Sequence, residues 1–282
     1  MPLMNVTIYA AAAGDRNERG MQGAISLGTL IARRFEAEAR TIGLPRAIVD
    51  GGWARQLESA APDLRVLTGH IAERLDGNRP FILTMGRCAA SLAILPLIAR
   101  RFPDAAIVWF DAHGDCNVPI EGCATDTSYL GGMVITGAAG EWDTSFGDGL
   151  DLANVILVGA RDLDAPEQKR IDAGQIALVP VGPELGHRLR QAIKGRRVYI
   201  HLDCDVLEAG LLATEYQSLD GLSYADLREA FEVLADHEVL GLEIAEYEAA
   251  WPDGRPNQPE RLMDAIMPVA QRIGSHQAWG RD

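Results

Sequence analysis

The runs Phe81-Ile-Leu-Thr84, Ala106-Ile-Val-Trp-Phe110 and Val155-Ile-Leu-Val158 are short and almost wholly apolar. A strand with one wet face alternates apolar and polar residues. A strand apolar throughout must be covered on both faces, as in parallel sheets flanked by helices. Five further runs read as strands: Val6–Tyr9, Ala47–Val49, Ile176–Val179, Val198–Leu202 and Val239–Ile244. Helical periodicity lies between them, in Met21–Ala39, Ala89–Arg100, Glu167–Ala173, Leu185–Lys194, Ser223–Ala235 and Arg261–Ile273. Ser223-x-x-Asp226 has the form of a helix N-terminal cap. The alternation predicts a doubly wound, three-layer α/β/α fold on an eight-stranded, mainly parallel sheet, with residues 1–282 forming one domain.

Ligands of such sheets sit beyond the carboxyl ends of the strands, and there the polar residues gather. The third strand delivers Gly86-Arg87-Cys88, the fourth Asp111-Ala-His113-Gly-Asp115-Cys-Asn117, the fifth Arg161-Asp162-Leu-Asp164. The seventh ends in Asp203-Cys-Asp205 and the eighth leads to Glu246. Asp111, His113 and Asp115 are spaced by two, so an extended chain puts them on one face. Oxygen and imidazole donors suit a hard or borderline divalent ion. Four aspartates brought together repel unless cations compensate them, so the two segments together predict two metal ions, with Asp111 and Asp203 placed to bridge. Two such ions can share a water and ionise it near neutral pH, about eight units below bulk water. The implied reaction class is metal-assisted hydrolysis.

These residues carry a resemblance. Asp111-Ala-His113-Gly-Asp115, the Asp203-x-Asp205 pair and the stretch through Leu240-Gly-Leu-Glu-Ile-Ala-Glu246 resemble the ureohydrolases: arginase, agmatinase, formiminoglutamase and relatives. The resemblance implies a three-layer α/β/α enzyme that hydrolyses guanidino or amidino groups with two manganese ions. It implies Asp111, Asp115 and Asp203 on one ion, and Asp111, His113, Asp203 and Asp205 on the other. Asn117 and Asp164 match positions that contact the amino-acid end of the substrate. Glu246 matches the carboxylate that pairs with the guanidinium, a planar fork that a carboxylate accepts bidentately. Asp115 and Glu246 are the residues expected in catalysis. Glu243 and Glu248 nearby leave open a solvated acidic strand end, and His201 reads as a satisfied structural histidine.

Three departures from the family pattern stand out. Cys88 falls where relatives carry a histidine ligand, and Arg87 where they carry an acidic residue. A thiolate is softer than manganese prefers, and Arg87 beside it would favour the thiolate. Gly131 replaces the proton-shuttle histidine, and Tyr129 a polar asparagine in the substrate-binding stretch. Glu208 stands where aspartate is usual. The pattern resembles a subgroup containing an Nω-hydroxy-L-arginine hydrolase of cycloserine biosynthesis. A hydroxyguanidine is less basic, and its leaving group needs a proton less. The alternatives are urea release from arginine or agmatine, a nucleophilic Cys88 whose base would have to be a distant histidine such as His113, and a non-catalytic homologue.

The formal net charge is −14 and no basic run exceeds two residues, which excludes an ordinary nucleic-acid or anionic-membrane partner. The first residues lack a basic segment and an apolar stretch long enough for a signal peptide. The four cysteines, 88, 116, 123 and 204, include no C-x-x-C pair, so no disulfide framework is expected. The expectation is a soluble, reduced, cytoplasmic enzyme acting on a small guanidino substrate, its oligomeric state open.

Overall fold

In the computed structural model, which describes residues 4–119 and 129–275, the apolar runs form a single sheet. Its strands are β1 (Asn5–Tyr9), β2 (Glu38–Ile42), β3 (Phe81–Met85), β4 (Ala106–Phe110), β5 (Val155–Val158), β6 (Ala177–Val179), β7 (Val198–Asp203) and β8 (Val239–Ala245). They lie in the order β2-β1-β3-β8-β7-β4-β5-β6, and every neighbouring pair is parallel. Helices α1 (Arg19–Arg34), α2 (Trp53–Asp76), α3 (Leu95–Arg101), α4 (Val134–Ala139), α5 (Ala165–Asp172), α6 (Leu185–Ile193) and α7 (Tyr224–Ala235) lie in the crossovers, and α8 (Glu260–Gly274) follows the last strand.

Each fully buried strand divides its side chains between two cores. Val108, Phe110, Ile200 and Leu202 join one cluster with Leu27 of α1, Phe231 of α7 and Ile266 of α8. Trp109, Tyr199, Phe81 and Leu83 join the other with Leu64 and Leu67 of α2 and Val134 of α4. Such a sheet, covered on both sides, favours strands that are apolar along most of their length.

The expected elements need four corrections. Ala47–Val49 forms no strand and lies in a loop; the second strand is Glu38–Ile42. As an edge strand it pairs on one side only, and four of its five residues are exposed, so the apolar run that marks the other strands is missing. The first helix therefore stops at Arg34, before a left-handed Glu36, and does not reach Ala39. Helix α2 is an addition; its buried Leu57, Ala60, Leu64, Leu67, Ile71 and Leu75 recur at three and four. Finally, the segment after β3 opens as a 3-10 turn, Cys88–Ala93, before α3. The Ser223–Asp226 cap forms as expected, each side chain bonding the other's backbone.

Cys88, Cys116 and Cys204 are buried free thiols, while Cys123 lies outside the described residues. Among the described residues no helix is long and apolar enough to cross a membrane.

Candidate metal centre

The sheet order places β3, β8, β7 and β4 side by side, so their carboxyl ends open on one cavity of about 540 Å³. Cys88, His113, Asp115, Asn117, Tyr129, Asp164, Asp203, Asp205 and Glu246 all line it. Asp111 lies beneath, 1% exposed. Every site residue expected from the sequence is thus brought to one place.

Backbone geometry holds the carboxylates. Asp111 Oδ1 accepts from the His113 amide at 2.7 Å, and Trp109 Nε1 donates to Asp111 Oδ2 at 3.1 Å. The Ala112 amide donates to Asp205 Oδ1 at 3.1 Å, and the Asp205 amide to Asp203 Oδ1 at 2.8 Å. Asp115 and Glu246 both sit at positive φ, +47° and +61°. Such backbone costs about 1–3 kcal/mol per residue and collects at functional sites.

The donor atoms fit cations. Ligand atoms of Cys88, Asp111 and Asp115 lie within 4.8 Å of one another, and so do those of Asp111, His113 and Asp205. Asp203 joins the first group through Cys88, whose Sγ donates to Asp203 Oδ2 at 3.0 Å. Asp115 Oδ2 is buried without a hydrogen-bond partner, and Asp205 Oδ2 faces only the His113 ring, at 3.3 Å. The pKa directions reflect an excess of buried carboxylates. Burial, then the neighbouring Asp111, drives Asp115 far above the carboxylate range; burial and Asp205 do the same to Asp203. For His113 burial favours the neutral ring, but hydrogen bonds to Asp111 and Asp205 prevail and hold it protonated. An imidazolium here compensates charge that a metal ion otherwise neutralises.

Cys88 differs from expectation in two ways. Arg87 does not activate it: the guanidinium turns to Glu246, Glu248 and Glu215, while burial and the charges of Asp203 and Asp115 push the thiol well up. Its imidazole partner is also not His113. His201, on the Asp203 face of β7, brings Nε2 to 3.2 Å of Cys88 Sγ. His201 Nδ1 is 2.7 Å from Glu243 Oε1, and its ring stacks on Trp109 at 3.5 Å. Tyr199 and Ser91 donate to the same Glu243 carboxylate at 2.7 and 2.6 Å. Histidine 201 is therefore satisfied and buried, as read, but it also backs the candidate metal ligand.

Glu243 and Glu248 are both fully buried, so the acidic stretch around Glu246 is no solvated strand end. Burial, only partly opposed by Arg87, raises the Glu246 carboxyl to about 8. Tyr129 OH is 3.5 Å from Glu246 Oε1, and its ring fills the space that a side chain at position 131 would need: a Cβ on Gly131 would lie 2.6 Å from it. Asn117 Nδ2 donates to Asp164 Oδ2 at 2.8 Å at the cavity mouth. Glu208 is not at the site; its carboxylate accepts from the Gly221 amide at 2.7 Å and clasps a loop.

Some residues escape the sequence reading. Glu167 accepts from the Cys116 amide at 3.1 Å and the Asp164 amide at 3.0 Å, tying the β4 and β5 loops together. Arg161 donates to the carbonyls of Gly159, Asp205 and Ser218 at 3.0, 3.2 and 2.9 Å, which holds the Asp205 loop. Glu167 could have been found through its place three residues into a capping box with Asp164. Arg161 is visible among the polar residues after the fifth strand, but nothing local reveals the carbonyls it binds.

The sequence matches the family model described as "Arginase family" over residues 49–262. The chain belongs to the arginase family. It is 32% identical over 268 residues to the N(omega)-hydroxy-L-arginine amidinohydrolase of Streptomyces lavendulae, covering 95% of this chain and 97% of that protein. It is 22% identical over 207 residues to the arginase of Bacillus caldovelox, covering 66% and 67%. Among solved structures, the arginase from Bacillus subtilis superposes with a TM-score of 0.78 at 17% identity, covering 97% of this chain and 99% of that one. The proclavaminate amidino hydrolase from Streptomyces clavuligerus gives 0.70 at 16%, covering 97% and 93%. An arginase-like fold and clusters of donors able to hold metal are thus features of this chain.

Proposed function

We propose that this arginase-family chain, as one domain of residues 1–282, is a cytoplasmic dinuclear-metal amidinohydrolase that cleaves a C–N bond of a guanidino amino acid. The observation that carries the reading is a single cavity with a buried donor cluster on its floor and Glu246 beside it. Its substrate is Nω-hydroxy-L-arginine, by likeness to the Streptomyces lavendulae relative. Water adds to the guanidino carbon, the bond to the ornithine nitrogen breaks, and hydroxyurea and L-ornithine leave.

Cys88, Asp111, His113, Asp115, Asp203 and Asp205 would hold two manganese ions. When bound, such ions supply Lewis acidity and lower the pKa of a shared water to near neutrality. The other steps belong to the chain. Glu246 accepts N–H groups of the substrate head and fixes its plane. Tyr129, kept protonated chiefly by burial and by the Glu246 charge, donates its hydroxyl there and shields the head group from solvent. Asp115, which lines the cavity, would accept the proton of the attacking water and return it to the departing ornithine nitrogen, and with Glu246 forms the catalytic pair. Asn117 and Asp164 exchange their mutual hydrogen bond for the substrate carboxylate and α-amino group.

The test is a turnover panel with manganese-loaded protein: arginine, hydroxyarginine, agmatine and other guanidino acids, scored for urea and hydroxyurea. Release of hydroxyurea is expected, and silence across the panel would refute the reading. The Cys88–His201–Glu243 line supports a second reading, a thiol nucleophile with its own base. Activity that survives chelation and dies on thiol alkylation would select it.

A further inference from the structure

Cys88 also belongs to a second group of donors. Ligand atoms of Cys88, His201 and Asp203 lie within 4.8 Å of one another, and all three residues are buried. This group shares no residue with Asp111, His113 and Asp205, so the two can be filled together. Its chemistry differs. It offers one sulfur, one imidazole nitrogen and one carboxylate oxygen, where the other offers two carboxylates and one imidazole.

The sheet assembles this group. His201 and Asp203 are two apart on β7, so they share a face. Cys88 follows β3, and β8 lies between β3 and β7. On β8, Glu243 is in register with His201. The Glu243 carboxylate accepts from Tyr199 and Ser91, and His201 Nδ1 stands 2.7 Å from its Oε1. A carboxylate only accepts, so Nδ1 carries a proton, and in the neutral ring Nε2 turns its lone pair toward Cys88 Sγ at 3.2 Å. Sγ in turn donates its one proton to Asp203 Oδ2 at 3.0 Å. Three electron-pair donors thus meet around a single proton. An imidazole held on a carboxylate by one nitrogen, with the other turned to a donor cluster, is the arrangement that metal-ligating histidines use. Stacking on Trp109, at 3.5 Å and 6° between planes, fixes the ring. Sulfur and nitrogen ligands of one tetrahedral zinc ion, at bond lengths of about 2.3 and 2.0 Å, stand roughly 3.5 Å apart. The observed 3.2 Å needs little adjustment.

We propose that Cys88, His201 and Asp203 form a site for a thiophilic divalent ion such as zinc, with His201 a direct ligand, so that the centre holds unlike ions: zinc on the Cys88 side and manganese on Asp111, His113 and Asp205. Thiolate with imidazole suits zinc, while carboxylate oxygens suit manganese. Zinc binds the thiolate, and the thiol proton is released to solvent. This rests on the dinuclear reading and names the ion at one of its two positions.

The experiment reads metal binding without turnover. Chelated protein reloaded with one equivalent each of zinc and manganese should retain one of each after gel filtration. X-ray absorption at the zinc edge should show one sulfur at about 2.3 Å. Cobalt in place of zinc should give a sulfur-to-cobalt charge-transfer band and the intense visible bands of a tetrahedral ion. Glu243→Gln removes only the partner behind His201 and should weaken zinc binding roughly 10–100-fold. His201→Gln removes a ligand and should weaken it further, while manganese affinity at the other group changes less than about threefold. Equal losses in the two variants, or a metal spectrum without sulfur, would overturn the proposal. Should His201→Gln fail to fold, His113→Gln decides. Its zinc should keep sulfur and imidazole scattering together, and loss of the imidazole signal would overturn the idea. Hydrolysis of a guanidino compound by protein whose zinc has no sulfur ligand would keep the amidinohydrolase reading and defeat this one. Zinc held by sulfur and imidazole in a protein silent on every guanidino compound would do the reverse.

Discussion

Removing divalent ions with a chelator should make the protein less stable as pH rises from 5 to 8. Burial lifts the Glu246 carboxyl from an ordinary 4.5 to about 8, and that of Asp15 from 3.8 to about 6, with Arg87 opposing both. Asp115 and Asp203 shift upward too, by burial and by neighbouring carboxylates. In the unfolded chain these groups are ionised above about pH 4.5. The folded chain keeps their protons to higher pH, so it binds more protons across the window, and stability falls as pH rises through it. His113 acts in the same sense. Its proton is favoured in the fold, so its contribution is complete below its ordinary 6.5 and is lost as pH climbs above that. Asp111, whose burial is outweighed by the hydrogen bond from His113, titrates below this range. At about 1.4 kcal/mol per pKa unit, the Glu246 shift amounts to roughly 5 kcal/mol between pH 4.5 and 8. Asp15 shares Arg87 with it, so the two do not add. For a chain of this size 1 kcal/mol moves Tm by about 2 °C, so the drop should approach roughly 8 °C. Scanning calorimetry of chelated and manganese-loaded protein at pH 5, 6, 7 and 8 measures it. The loaded protein, its carboxylates compensated, should lose less than half as much. A chelated protein whose Tm stays level or rises would refute the reasoning.

Four further outcomes are expected. Cys88→His should raise manganese affinity at least tenfold in titration calorimetry, because imidazole suits that ion better than a thiolate; unchanged binding would return Cys88 to packing. Glu243→Gln strips the charge shared by His201, Tyr199 and Ser91 and should cost about 3 kcal/mol, near 6 °C in Tm, with a change under 2 °C contradicting the network. In α1, Gly23→Ala would set a Cβ 1.7 Å from the Tyr247 carbonyl oxygen and should destabilise by about 3 kcal/mol in denaturant unfolding. Gly69→Ala in α2 meets nothing within 4 Å and should stabilise by about 1 kcal/mol, so equal effects at the two sites would disprove the packing argument.

What the sequence reveals about this site depends on distance along the chain. Asp111, His113 and Asp115 are visible as closely spaced donors just past a strand, as are Asp203 and Asp205, but the extended chain expected for them is not what gathers them: β4 stops at Phe110, Asp115 sits at positive φ, and Asp205 lies in a 3-10 turn. The interior strands are visible because burial on both faces demands apolar runs; the edge strand β6 is visible only because its short run happens to be apolar, and the polar edge strand β2 is hidden. Partnerships across the fold are a different matter. Arg87 reads as a neighbour of Cys88, but it pairs with Glu246, which is 159 residues away. His201 reads as an isolated structural histidine because its contact with Cys88 exists only once β3 and β7 bracket β8. Local spacing carries the donor set, while charge compensation is a property of the assembled sheet.

The strand order has a consequence for how metal is acquired. The candidate donors come from the ends of β3, β4 and β7, and Glu246 follows β8; these are neighbours in the order β3-β8-β7-β4 but come from positions 88 to 246 of the chain. No stretch of nascent polypeptide shorter than about a third of the protein holds a complete set for either proposed ion. Loop closures of that length are slow and precede any gain from the contacts they bring. On the proposed dinuclear reading, a complete donor set exists only once β3, β4 and β7 lie together, so the ions would bind an assembled sheet end through the mouth that admits substrate.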